Sequence, residues 1–206
     1  YGTGLTKAVA PVTEKFGVPM VEAEGASRSL FTQGYKYMFA VLSTSEYYLA
    51  PVLDIIAQRA KAGWKSPSEL RIGMAFENDG FSLDVRAGVL DVAKKYNMKI
   101  VIDDKLPADL SDMSATLTKF KALKPDILLI SGHSKGAATA ARQIEEMKIQ
   151  APVIAYTHCE AAKVHEKFPK SAVGVMCPTQ WLDNLPKQDK YFGDAAKWNA
   201  DLKKVN

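Results

Sequence analysis

From Leu70 onward the chain keeps one rhythm: a short apolar run, a polar turn, an amphipathic stretch, and then the same again. The apolar runs fall near residues 71–76, 98–102, 126–131, 152–156 and 172–177, and each has the length and turn-bounded setting of a strand. Between or after them, residues 81–96, 113–123, 135–147 and 160–168 carry apolar side chains at helical spacing. Strands that alternate with helices pair in parallel, and such a sheet needs helices on both faces. The expected class is therefore α/β, a doubly wound parallel sheet.

The two ends of the chain fit this rhythm less well. Residues 5–16 read as a helix stopped by Gly17, followed by a short strand at 18–21. That strand has no upstream partner, and one strand alone makes no stable sheet, so the chain is expected to be a piece of something longer or to lack an early strand. Ser45 is placed to cap a helix running to about Ala62, with Pro51 forcing a kink or a late start, and residues 63–69, "GWKSPSE", form the loop after it. The final segment, 188–205, puts Tyr191, Phe192, Ala195, Trp198 and Leu202 on one helical stripe, the pattern of a packing helix.

Composition removes several classes of function. The 206 residues are 47% hydrophobic and 24% charged, ordinary for a globular chain of one large or two small domains. A net charge of +4 from 27 basic and 23 acidic residues, with no long basic run, argues against a nucleic-acid partner. No apolar stretch nears the roughly 20 residues of a membrane-spanning helix, so no membrane insertion is expected. The first residues also lack the pattern of a signal peptide, so any export signal is expected to be absent already. Two cysteines, Cys159 and Cys177, imply no disulfide framework and exclude neither redox compartment; Cys159 reads as a buried thiol. His158, Cys159 and His165 match no standard zinc spacing, and neither a metal nor a cofactor is expected.

One motif asks for chemistry. Gly132-His133-Ser134-Lys135-Gly136 lies between a predicted strand and a predicted helix, where G-x-S-x-G forms the nucleophile elbow of serine hydrolases. A hydrolase of that architecture needs an acid and then a histidine after the serine, yet His158 and His165 both precede Asp183. Glu145 and Glu146 come earlier but lie on the helix that leaves the turn, and "FENDG" at 76–80 supplies acids where an oxyanion loop needs donors. A hydrolase using Ser134 is therefore the weaker alternative. The stronger account makes Gly132 and Gly136 the requirements of a tight turn, with the Ser134 hydroxyl capping the helix.

Three predicted strands end in residues suited to holding a small molecule: 76–81, 131–133 and 156–158. In a parallel sheet these ends share one edge, where ligands bind. At the front, Gly2-Thr3-Gly4 leads into a helix whose exposed N–H groups and Thr3 hydroxyl suit a carboxylate.

Longer stretches carry a resemblance. "YGTGLTKAVAPVTEKFGVPMVEAEGASRSLF", "RIGMAFENDGFSLDVRAGV" and "DMSATLTKFKALKPDILLISG" resemble, in order and spacing, blocks of the type I periplasmic solute-binding proteins of the branched-chain amino acid (Liv-like) ABC transporter family. The resemblance runs over nearly the whole chain. It implies two doubly wound lobes joined by crossovers and closing on a ligand like a hinge. Residues 1–39 would then be part of lobe 1, 40–182 an essentially complete lobe 2, and 183–206 a crossover and packing helix. It further implies an extracytoplasmic or periplasmic receptor, not an enzyme, with a small-molecule ligand and a membrane permease as partners. A ligand-sensing domain of a regulator or receptor shares this fold and is the other alternative.

The resemblance also distributes ligand contacts. The carboxylate-binding turn falls on Thr3 and Gly4, and a second such turn on Glu24, Ala26 and Ser27, with Ser27 supplying its hydroxyl one residue late. The aromatic contact falls on Phe81, and His133 holds a tyrosine position. The acid that receives an amino acid's ammonium group falls on Thr157, with His158 beside it. A neutral hydroxyl is a poor partner for a buried ammonium, which favours an aromatic or carboxylate-bearing ligand over a simple aliphatic amino acid. Glu24 and Glu77 keep the amino-acid reading open.

Overall fold

The computed structural model describes residues 2–60, 64–182 and 184–205. In chain order the elements are α1 (Thr3–Phe16), β1 (Met20–Glu22), α2 (Arg28–Phe31), β2 (Met38–Ala40), α3 (Ala50–Ala60), β3 (Arg71–Glu77), α4 (Gly80–Lys95), β4 (Lys99–Leu106), α5 (Ser114–Leu123), β5 (Ile127–Ser131), α6 (Ser134–Glu146) and β6 (Val153–Tyr156). There follow α7 (Ala162–Lys167), α8 (Pro169–Ala172), β7 (Gln188–Asp189), β8 (Gly193–Asp194) and α9 (Ala195–Val205).

Among the described residues, β3 to β6 form a four-stranded sheet in the order β4-β3-β5-β6, parallel throughout. Strand periodicity divides its side chains between two cores. Ile72, Met74, Phe76, Ile127 and Leu129 pack with Val52, Leu53 and Ile56 of α3 and Phe81, Val85 and Val89 of α4. Ala75, Leu128 and Ile130 meet Leu117 and Phe120 of α5 and Ala137, Ala140 and Ile144 of α6 on the other face. The sheet is thus doubly wound, as the alternation required.

The differences from the sequence reading have local causes. The strand at 18–21 forms at Met20–Glu22 and does find a partner, but downstream: β1 pairs in parallel with β2, which sequence reading missed. The helix expected from Ser45 starts late, at Ala50, because Pro51 fits only a first turn; Ser45 opens a short 3-10 turn, Ser45–Tyr47, and caps nothing. Residues 61–63, where that helix was to end, lie outside the described residues. The strand expected at 172–177 is replaced by α8 and an isolated bridge between Ala155 and Met176. Gly174, at φ +81°, takes the chain out of extended geometry there. The helix at 160–168 shrinks to α7 and gives way to α8 at Pro169. At the chain's end only Ala195 onward is helical, while Tyr191 and Phe192 lie exposed at the β7–β8 hairpin. Cys159 is not a free thiol: it forms a disulfide with Cys177, tying the turn after β6 to the segment beyond α8.

Candidate functional site

The carboxyl edge of the sheet brings three strand ends level, since Phe76 pairs with Ser131 and Ile130 with Tyr156. Past β3 the chain turns at Asp79, whose carboxylate accepts the Ser82 N–H at 2.7 Å and caps α4. That cap fixes Phe81 in the first helical turn. Past β5, His133 occupies the position before α6, and past β6 His158 adopts a left-handed backbone with φ +60°. The rings converge. Phe81 lies 5.4 Å from His133 and 5.7 Å from His158, the two imidazoles are 5.7 Å apart, and Tyr48 meets Phe81 edge-on at 5.3 Å. They line a cavity of about 270 Å³ together with Gly2, Thr3, Glu24 and Glu160.

The segment before α2 is held over α1 by a buried acid. Glu22 accepts the Thr6 hydroxyl at 2.8 Å and the backbone N–H groups of Glu24 and Gly25. Burial alone would raise the Glu22 pKa, but these donors outweigh it and hold it low. The bend they form carries Glu24 to the cavity.

Of the sequence-predicted contacts, Thr3, Glu24, Phe81, His133 and His158 line this one cavity. Gly4 lines a neighbouring cavity of about 480 Å³ with Thr3, Lys7, Asp79 and His133. Ala26 is buried in the core. Ser27 supports from behind: its N–H donates to Thr3 Oγ1 at 3.3 Å and its hydroxyl to Asp84 at 2.6 Å. Thr157 is buried, and its hydroxyl donates to the Gly132 carbonyl at 2.7 Å while accepting the Gly132 N–H at 3.1 Å. It therefore orients the Gly132–His133 turn. Tyr48 and Glu160 escaped the sequence reading. Glu160 stands two residues after His158, so a carboxylate close to the turn at Thr157 was there to be found; Tyr48 carried no signal beyond helical spacing.

The G-x-S-x-G motif resolves differently from either expectation. The capping position belongs to His133, and Ser134 is the first, exposed residue of α6. The imidazole of His133 pairs with Asp79 at 2.7 Å, and that of His158 with the Gly132 carbonyl at 2.9 Å. The two glycines are explained by Glu77, the last residue of β3: a Cβ at Gly132 or Gly136 would lie 2.6 Å or 2.8 Å from its carboxylate. The motif makes room for a buried acid.

That acid governs the electrostatics. Burial pushes the Glu77 pKa up to about 7. The Asp79 hydrogen bond raises His133 against the opposing effect of burial, so His133 carries its proton more readily than a free imidazole. Burial would raise Asp79 too, but the His133 and Ser82 donors keep it low. His158 goes the other way, lowered chiefly by burial, and presents a neutral ring.

A doubly wound parallel sheet with a ring-lined cavity at its carboxyl edge defines a small-molecule binding architecture. The model of the periplasmic binding protein family matches residues 1–204, and the chain belongs to that family. Among curated relatives, the Leu/Ile/Val-binding protein homolog 8 of Brucella abortus (strain 2308) is 21% identical over 147 residues, which cover 71% of this chain and 36% of the relative. The leucine-binding protein LivK of Thermotoga maritima MSB8 superposes with a TM-score of 0.74 at 18% identity, over 96% of this chain and 59% of that one. A solute-binding protein of an ABC transporter from R. palustris, solved with 4-hydroxybenzoate, gives 0.75 at 15% identity, over 99% and 53%. The chain thus spans little more than a third of the curated relative's length and somewhat over half of each solved structure. Among the described residues no helix is long and apolar enough to cross a membrane.

Proposed function

We propose that this chain is the ligand-capturing part of an extracytoplasmic receptor of an ABC importer, handing a small aromatic or amino-acid-like carboxylate to a membrane permease without chemistry on it. In this reading residues 1–39 belong to one lobe, 40–182 to the other, and 183–206 to a crossover and packing helix. The carrying observation is the makeup of the cavity: Gly2, Thr3 and Glu24 from the first part face Tyr48, Phe81, His133, His158 and Glu160 from the second. Ring faces suit an aromatic body, and the first turn of α1 offers N–H donors to a carboxylate. Glu24 and Glu160 would receive an ammonium group, which is why an amino acid stays within the class.

Calorimetric titration of the purified protein with benzoate, 4-hydroxybenzoate and leucine tests this. At least one aromatic carboxylate should bind, and Phe81→Ala should weaken it about tenfold or more, the loss of one ring contact with its buried area. Leucine binding more tightly than both benzoates would overturn the aromatic preference, and no heat with any of the three would overturn the receptor reading.

A further inference from the structure

Beneath the ring-lined cavity lies a group that ligand capture does not use. Glu77 is 1% exposed, and its Oε2 has no hydrogen-bond partner among the described residues. Two glycines of the sequence commit the protein to this burial, because Gly132 and Gly136 leave the carboxylate its space. The His133 backbone N–H serves the carboxylate, but a buried carboxylate with one oxygen unpartnered stays unfavourable unless it finds a countercharge or a proton. The charges that act on Glu77 come from His133, Asp79 and Asp109, and His133 is the single cation of the three. Acids thus outnumber cations around this buried oxygen.

We infer that Glu77, Asp79 and His133 form a binding site for a divalent first-row transition-metal ion, of which zinc is the representative. One carboxylate oxygen from each acid and one imidazole nitrogen lie within 4.8 Å of one another. Two ligands of one tetrahedral zinc ion stand at most about 3.6 Å apart, given bonds of about 2.0–2.2 Å, so side-chain movements of roughly 1–1.5 Å close the set. His133 Nε2 and Asp79 Oδ2, at 2.7 Å, already lie inside that limit. The donor set of one imidazole and two carboxylates suits zinc and its neighbours better than calcium or magnesium, which take oxygen alone. An entry path exists, because Asp79 and His133 line the cavity of about 480 Å³ that also holds Gly2, Thr3 and Lys7. The backbone is prepared as well: Asp79 is fixed by its cap on α4, and the Gly132–His133 turn by Thr157. A rival group, Cys159, Glu160 and Cys177, has its sulfurs closed in the disulfide and offers no thiolate.

The test is competition of the purified, chelator-stripped protein against a chromophoric zinc chelator, without reductant so that the disulfide stays closed. One equivalent of zinc per chain is expected, with affinity falling at least about tenfold in Glu77→Gln, Asp79→Asn and His133→Gln, a loss that even outer-shell partners cause. Asp79→Asn retains a capping side chain and keeps the test valid should Glu77→Gln misfold. In parallel, cobalt loaded in place of zinc should give visible ligand-field bands that change in His133→Gln. Absence of stoichiometric zinc at micromolar concentration overturns the inference. So does binding that all three variants retain, or that appears only after the disulfide is reduced.

Discussion

Strand β3 and the pair β1–β2 obey the same α/β grammar, yet they end in opposite environments. Six of the seven residues of β3 are buried, Ile72 to Glu77, with α3 and α4 on one face and α5 and α6 on the other. In β1 and β2 the apolar residues Val21 and Phe39 are exposed, at 65% and 55%. Helix α1 continues that open surface: Leu5, Val9, Val12 and Phe16, at i, i+4, i+7 and i+11, all face outward. Helical and strand patterns form locally in both regions. What separates them is whether a second layer covers the apolar face, which local sequence does not encode.

The largest expected effect therefore contrasts two phenylalanines. Phe76→Ala removes a fully buried ring from the centre of the sheet and should cost about 3–5 kcal/mol. Phe39→Ala, on β2, should cost within about 0.5 kcal/mol, as exposed substitutions do. Urea titrations of both variants check this. Equal losses would mean that β2 is packed in solution and that the contrast is false.

The same contrast explains what could be read in advance. The strands of the central sheet were legible because each is short, apolar and bounded by turn residues, and because the helices between them repeat. β2 was illegible because Met38-Phe39-Ala40 follows a polar stretch and carries no alternation. The run at 172–177 has a strand's composition, but Gly174 and the disulfide at Cys177 decide its path, and neither effect is visible in periodicity. At the site, Phe81, His133 and His158 followed from where strands end. Thr157 was correctly placed at such an end, but the direction of its hydroxyl, into the Gly132 backbone, depends on register between β5 and β6. Gly132 and Gly136 drew attention as an elbow, and only three-dimensional packing shows that they accommodate Glu77.

The disulfide supplies the second, intermediate effect, because it fastens a stretch with little regular structure to the well-packed sheet. Met176 meets Ala155 by a single bridge, and Ser43 N–H reaches Gln180 at 3.2 Å. Closing the loop between Cys159 and Cys177, 18 residues apart, should stabilise the fold by about 3 kcal/mol. The double variant Cys159→Ala/Cys177→Ala should lose that amount in chemical unfolding, with amide exchange accelerating at 173–180 before the strands of the sheet. If β5 and β6 lose protection equally, that segment is part of the sheet's cooperative unit and the division between covered and tethered regions moves outward.

The smallest effect is the most telling about the open face. Phe16→Ser replaces a ring that is 69% exposed and should change the stability of this chain by no more than about 0.5 kcal/mol. Its consequence should instead appear in association, since the stripe of Leu5, Val9, Val12 and Phe16 is an exposed apolar surface of the kind that favours self-contact. Sedimentation velocity should show less self-association for Phe16→Ser than for the parent. The two-lobe proposal adds a second arm: in a longer form of the protein whose further residues cover α1, the same substitution creates a buried cavity and should cost about 3–5 kcal/mol. A cost near zero in both forms would leave α1 at the surface of the longer form and remove the packing argument for a covering layer.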